Sequence, residues 1–144
     1  MTHINLRFLC FGAGAIGTYI GGSLALAGQT VVFLERPELA PGLRERGLRL
    51  RRDGQDFFIP HPAVAVSVDE ALTLGPFDAA ILAVKAYDTA ELAHSLAAYN
   101  IALPPVICLQ NGVENEAILT AVLGEDKVIP ATVTTAIGRG QTGM

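Results

Sequence analysis

Residues 10–17 read Cys10-Phe11-Gly12-Ala13-Gly14-Ala15-Ile16-Gly17, CFGAGAIG, and the fold turns on what flanks these glycines. Upstream, Leu6 to Phe11 is an apolar run broken only by Arg7, short and β-prone, so it reads as a strand buried on both faces. Downstream, Ile16, Ile20, Leu24 and Ala27 recur at helical spacing, and Gly28 stands where a helix C-terminal glycine belongs. Thr30 to Leu34, TVVFL, supplies a second strand. Strand, glycine turn, helix and strand make a βαβ unit, which requires a parallel sheet and a right-handed crossover.

A G-x-G-x-x-G pattern is a weak signal alone, but here each glycine has its own task. Gly12 ends the strand, Gly14 sits where backbone must approach a pyrophosphate, and Gly17 lies in the first turn of a helix that must pack close to the sheet. Gly21 and Gly22 keep one helix face small for the same packing. The backbone from Gly12 through Ala13, Gly14, Ala15 and Ile16 to Gly17 is thus the candidate phosphate cradle, with free N–H groups and a positive helix end. No Gly-Lys-Ser/Thr follows, so the loop is not a P-loop. After the second strand, Glu35 stands where an acidic residue takes the ribose 2′-hydroxyl of NAD, whereas Arg36 is suited to the 2′-phosphate of NADP. Successive strand residues point to opposite sides, so one of the two is expected to face the ribose.

The rest of the chain keeps alternating. A short helix is expected over Pro41 to Arg46, then a β-hairpin, LRLRR and QDFFI joined by Asp53-Gly54, the dipeptide suited to the positive φ angles of a type I′ turn. Ala63 to Val68 reads as a strand, Asp69 as the cap of a short helix ending near Gly75-Pro76, and Ala79 to Val84 as another strand. Asp88 to Glu91 resembles a capping box for a helix through Tyr99 that turns Leu92, Leu96 and Tyr99 to one side. Val106 to Leu109 is the next strand, Glu114 to Leu123 the next helix, and a last strand lies within Val128 to Ile137. This order predicts a Rossmann-type doubly wound α/β domain: a mostly parallel sheet with helices on both faces and a small β-hairpin insertion.

Composition sets the bounds. With 144 residues the chain has room for one domain, and with 51% hydrophobic and 17% charged residues it suits strands covered on both faces. A net charge of -4 argues against a nucleic-acid surface, and the basic group Arg44, Arg46, Arg49, Arg51 and Arg52, interleaved with acids, reads as a solvated face. No apolar stretch is long enough to cross a bilayer, and the N-terminus leads straight into a strand, not a cleavage site. Cys10 and Cys108 sit in separate apolar runs without metal-ligand spacing, as buried thiols of a reducing, cytoplasmic setting do. His3, His61 and His94 form no constellation, and no metal site is expected.

Three further stretches align with the glycine loop: Val84-Lys85-Ala86-Tyr87-Asp88, Leu109-Gln110-Asn111-Gly112-Val113 and Thr134-Thr135-Ala136. With GAGAIG and the Glu35-Arg36 pair, their order and spacing resemble the N-terminal cofactor-binding domain of the ketopantoate reductase (2-dehydropantoate 2-reductase) family. The resemblance implies NADPH-dependent reduction of 2-dehydropantoate to (R)-pantoate, on the way to pantothenate and coenzyme A. It implies that Arg36 binds the 2′-phosphate, that Lys85 lies at the cofactor edge, and that Asn111 holds the nicotinamide ribose and the 2-oxo acid substrate. Gly138 is a further cofactor contact by the same alignment. The family's general-acid lysine belongs to a C-terminal helical domain, so no catalytic residue is expected within these 144 residues, and binding without turnover follows. Two other readings stay open: a free-standing NAD(P)-sensing module, and a reductase of another 2-oxo acid. A homodimer is compatible with each.

Overall fold

A computed structural model describes residues 4–82, 89–98, 103–109 and 113–131. The elements are β1 (Arg7–Phe11), α1 (Ala15–Leu26), β2 (Thr30–Leu34), α2 (Ala40–Arg46), β3 (Leu48–Arg52), β4 (Gln55–Ile59), β5 (Ala63–Ala65), α3 (Val68–Thr73), β6 (Ala79–Leu82), α4 (Thr89–Ala97), β7 (Val106–Cys108), α5 (Val113–Leu123) and β8 (Val128–Pro130). A 3₁₀ turn, Glu125–Lys127, joins α5 to β8. Six strands form one sheet in the order β5-β2-β1-β6-β7-β8, parallel throughout, and β3 pairs with β4 as a separate antiparallel hairpin. The chain builds outward from β1 through β2 to β5, then crosses back to β6, so its direction reverses between β1 and β6. Ligands of open α/β sheets gather at such a switch point, outside the carboxyl ends of the strands.

Alternation along the apolar strands divides the core in two. Leu9 and Phe11 of β1 and Val32 of β2 join Ala71, Ala93, Leu96, Leu119 and Leu123 from α3, α4 and α5. Cys10 of β1 with Val31 and Phe33 of β2 join Ala40, Leu43 and Leu48, with Ile16, Ile20 and Leu24 of α1 packed against them. Both faces of the sheet are therefore covered, as the unbroken apolar runs require.

Helix α1 corrects the expected stripe. Ile16, Ile20 and Leu24 are half-buried and Ala27 is exposed; the deeply buried positions are Gly17, Thr18, Gly21 and Gly22. The reason is that α1 lies between two layers. A Cβ on Gly21 would come within 2.7 Å of the Phe33 ring in β2, and a Cβ on Gly22 within 2.7 Å of Leu50 in the hairpin. At its end the Gly28 N–H donates to Ala25 O and the Gln29 N–H to Leu24 O, a Schellman closure with Gly28 at φ +91°.

Other boundaries move for local reasons. The hairpin turns through Asp53 and Gly54 at φ +52° and +76°, the positive pair that Asp-Gly predicts. The expected strand to Val68 stops at Ala65, whose register partner in β2 is its last residue, Leu34. Ser67 is thus released to cap α3, and it does so in place of Asp69: its Oγ accepts the Glu70 N–H at 3.1 Å, while Glu70 Oε2 accepts the Val66 N–H at 3.2 Å. Helix α4 runs from Thr89 to Ala97, with Leu96 buried; the proposed cap Asp88, Tyr99 and the strand continuation beyond residue 131 lie outside the described residues. The basic group lies at the surface as expected, and its members find local partners there. Arg49 and Arg52 lie over the rings of Phe58 and Phe57, Arg51 is 3.7 Å from Asp56, and Arg44 bonds to Val64 O.

Candidate functional site

Strand β1 delivers the chain to the sheet's carboxyl edge at Phe11, between Leu34 of β2 and Leu82 of β6. Gly12 follows at φ +96°, where a side chain would strain the backbone, and its N–H donates to Leu34 O at 2.9 Å. Ala13 is fully buried and both its polar groups are held by side chains: its N–H donates to Glu35 Oε2 at 3.0 Å, and its carbonyl accepts from Thr18 Oγ1 at 2.8 Å. Gly14 is the N-cap of α1 at φ -74° and ψ -161°, with no side-chain cap bond and no acidic residue in the first turn. A Cβ on it would meet nothing within 4 Å. The first intrahelical bond runs from Thr18 N to Gly14 O at 2.9 Å, so the N–H groups of Ala15, Ile16 and Gly17 precede the helical ladder. An uncapped helix start with open space above its N-cap and a positive dipole end fits a diphosphate.

Beneath the loop, Cys10 Sγ lies 3.5 Å from Gly12 O and 3.8 Å from Gly17 O. Burial, and secondarily the charge of Glu35, push its thiol from 9.0 to about 12. The folded chain therefore keeps a proton that the unfolded chain releases above pH 9, and the resulting stability is present below pH 9 and lost as pH rises toward 12. Relative to Cys10→Ala, the native chain is expected to lose roughly 1 kcal/mol more between pH 8 and pH 10, read by urea unfolding at each pH.

A cleft of about 660 Å³ opens beside the loop, between the end of β2 and helix α4. Its walls include Val66 and Leu92, with Ser95 beside them, and its charged residues are Glu35, Arg36 and Glu38. Glu35 is fixed on both oxygens, since besides Ala13 it accepts the Arg36 N–H on Oε1 at 2.9 Å. Its own N–H donates to Ala65 O. The Arg36 carbonyl in turn accepts from Leu39 N and Ala40 N, which anchors the arginine's backbone at the cleft as the chain turns into α2. An apolar wall beside Arg36, with the neighbouring Glu35 turned onto main-chain N–H groups, is a surface suited to an aromatic base next to a charged sugar.

The structure brings together Gly12, Ala13, Gly14, Ala15, Ile16, Gly17, Glu35 and Arg36 around one edge of the sheet. Lys85, Asn111 and Gly138 lie outside the described residues. Sequence reasoning did not place Thr18, Val66, Leu92 or Ser95 at the site, and it read Cys10 only as the buried thiol that it is. Only Thr18 left a signal, a hydroxyl among three glycines on one helical face. Among the described residues no cluster of His, Cys, Asp or Glu fits a metal ion, and no helix is long and apolar enough to cross a membrane.

Comparison with known proteins gives a consistent picture. A family model described as Ketopantoate reductase PanE/ApbA matches residues 8–144. A 2-dehydropantoate 2-reductase of Halobacterium salinarum is 31% identical over 141 residues, covering 96% of this chain and 45% of that protein. Another 2-dehydropantoate 2-reductase, from Archaeoglobus fulgidus, is 37% identical over 120 residues, covering 78% of this chain and 35% of the relative. The crystal structure of 2-dehydropantoate 2-reductase from Geobacter metallireducens superposes with a TM-score of 0.79 at 27% identity, over 96% of this chain and 44% of that one. The chain thus spans less than half the length of each of these three proteins.

Proposed function

Because the chain belongs to the ketopantoate reductase PanE/ApbA family of oxidoreductases, as its NAD(P)-binding N-terminal domain, we propose that it holds NADPH for the reduction of 2-dehydropantoate to (R)-pantoate. The observation that carries the preference for the 2′-phosphate is the engagement of Glu35. Both its carboxylate oxygens accept main-chain N–H groups, from Ala13 and Arg36, which turns the charge toward the glycine loop. Arg36 is then the cleft residue whose forked guanidinium suits a phosphate.

The nicotinamide cofactor, when bound, supplies the hydride for the carbonyl carbon. The first-turn N–H groups of α1 would hold its diphosphate, Arg36 the 2′-phosphate, and Val66 and Leu92 would flank the adenine. We assign Lys85 and Gly138 to the cofactor edge, and Asn111 to the nicotinamide ribose and the substrate, its amide offering both a donor and an acceptor. The proton for the carbonyl oxygen is assigned to a lysine in the part of the relatives that this chain does not span, so residues 1–144 bind without turnover in this reading. A cytoplasmic setting fits the two buried cysteines, neither of them in a disulfide.

Replacing Arg36 by Ala tests the assignment. NADPH affinity is expected to fall at least tenfold, from the loss of a charge-assisted contact of about 1.5–3 kcal/mol, with NADH affinity unchanged. Calorimetric titration with both dinucleotides reads the result. An unchanged NADPH affinity would remove Arg36 from the 2′-phosphate site.

A further inference from the structure

We propose that Glu35 is a positioning residue that sets the glycine loop for either dinucleotide, and that it does not contact the adenosine ribose; the proposal rests on the nucleotide-binding reading above. The argument starts from the Gly12-Ala13-Gly14 backbone. Gly12 sits at φ +96° and Gly14 has no neighbour within 4 Å of where its Cβ would be, so neither side of Ala13 is held by a side chain of its own. The direction of the Ala13 peptide units must come from outside the loop, and two bonds supply it: Glu35 Oε2 on the N–H at 3.0 Å and Thr18 Oγ1 on the carbonyl at 2.8 Å.

Ala13 is fully buried in the native chain, but its bond to Glu35 is part-buried at the wall of the cleft, so a chain without the Glu35 side chain trades a charge-assisted bond for whatever water enters from the cleft. The peptide then loses the bond that fixes its direction, and with it Gly14, which carries the helix start, is less firmly set. Glu35 itself cannot drift, because Oε1 is tied to the Arg36 N–H at 2.9 Å and its own N–H to Ala65 O at 2.9 Å. Glu35 therefore links three points: its carboxylate joins the glycine loop to the chain just past β2, and its main-chain N–H holds the end of β5. It also follows that the Ala13 N–H is committed to Glu35, leaving the diphosphate to the groups from Gly14 onward.

The test uses the whole chain with three ligands, NADPH, NADH and adenosine 2′-monophosphate, the last lacking the 5′ diphosphate. In Glu35→Ala, both dinucleotides are expected to weaken by the same factor of about ten, while adenosine 2′-monophosphate stays within about twofold. Glu35→Gln keeps one acceptor, its Oε1, for the Ala13 N–H, while its NH2 leaves the exposed Arg36 N–H to solvent, and it is expected to return both dinucleotides to within about threefold of native. Amide exchange followed by NMR without any nucleotide gives a second readout: the Ala13 N–H is protected in the native chain and in Glu35→Gln, and exchanges freely in a folded Glu35→Ala chain. The proposal is overturned if Glu35→Ala lowers NADH affinity while NADPH affinity holds or rises, or if the Ala13 amide stays protected in that variant. A native chain that binds neither dinucleotide overturns the underlying reading instead, and the proposal falls with it.

Discussion

A Gly14→Ser chain is expected to melt no lower than the native one and to bind NADPH at least a hundredfold more weakly. The expectation sets stability against function at one residue. Gly14 has N-cap dihedrals, φ -74° and ψ -161°, that any residue adopts, and a Cβ there meets nothing within 4 Å. Serine is a better N-cap than glycine by a few tenths of a kcal/mol, because its hydroxyl accepts an N–H from the first helical turn. That same bond withdraws the donor from a diphosphate and puts a side chain where the phosphate must approach. Losing two charge-assisted contacts of about 1.5–3 kcal/mol each gives the hundredfold or greater loss. Thermal melting and calorimetric titration on one preparation read both quantities. A stable Gly14→Ser chain with native affinity would move the diphosphate away from the start of α1.

The second large effect concerns folding. Gly21→Val is expected to cost about 3 kcal/mol, or a fall of about 10 °C in Tm for a chain of this size. Glycine inside a helix is ordinarily a weakness of about 0.5–1 kcal/mol against alanine, so a side chain here would help if there were room. There is none: the Cβ alone would stand 2.7 Å and 2.9 Å from two carbons of the Phe33 ring and 3.4 Å from Cys10 Sγ. Phe33 is itself 1% exposed and cannot retreat. Valine adds two methyl groups to that collision. Phe33→Leu in the Gly21→Val background is expected to recover part of the loss, a coupling that unrelated sites would not show. A Gly21→Val chain as stable as the native one would mean that α1 stands farther from the sheet.

Those two glycines also show what could be read in the chain and what could not. The first βαβ unit was legible because its signals are local: an apolar run, then glycines, then Gly28 closing the helix. The hairpin was legible for the same reason, since Asp53-Gly54 specifies its own turn. The cap of α3 was misassigned because Ser67 and Asp69 are both good caps two positions apart, and only the end of the β2–β5 pairing chooses between them. The small face of α1 toward the sheet was legible in Gly17 and Gly21, but its second covered side, against the hairpin, was not, because hydrophobic periodicity assumes one covered side. A helix held between a sheet and a hairpin needs small residues at its closest approaches, not large ones.

At the site, the residues that would touch a ligand were read more readily than those that hold them. Motif spacing pointed to the glycines, whereas the role of Glu35 depends on a bond to a residue 22 positions earlier, which only tertiary structure reveals. An acid after the second strand suggested a ribose contact. The fold gives each of its oxygens a main-chain N–H, from Ala13 and from Arg36.

The layering of α1 bears on how a nucleotide would meet this surface. With Gly21 pressed on Phe33 and Gly22 on Leu50, the helix is gripped from both sides along its middle, and the Schellman closure fixes its far end. Its amino end cannot tilt or unwind without disturbing the core. The entropy of ordering these donors therefore falls on folding and not on association, so a diphosphate held there would find a socket already shaped, and more of each hydrogen bond would survive as affinity.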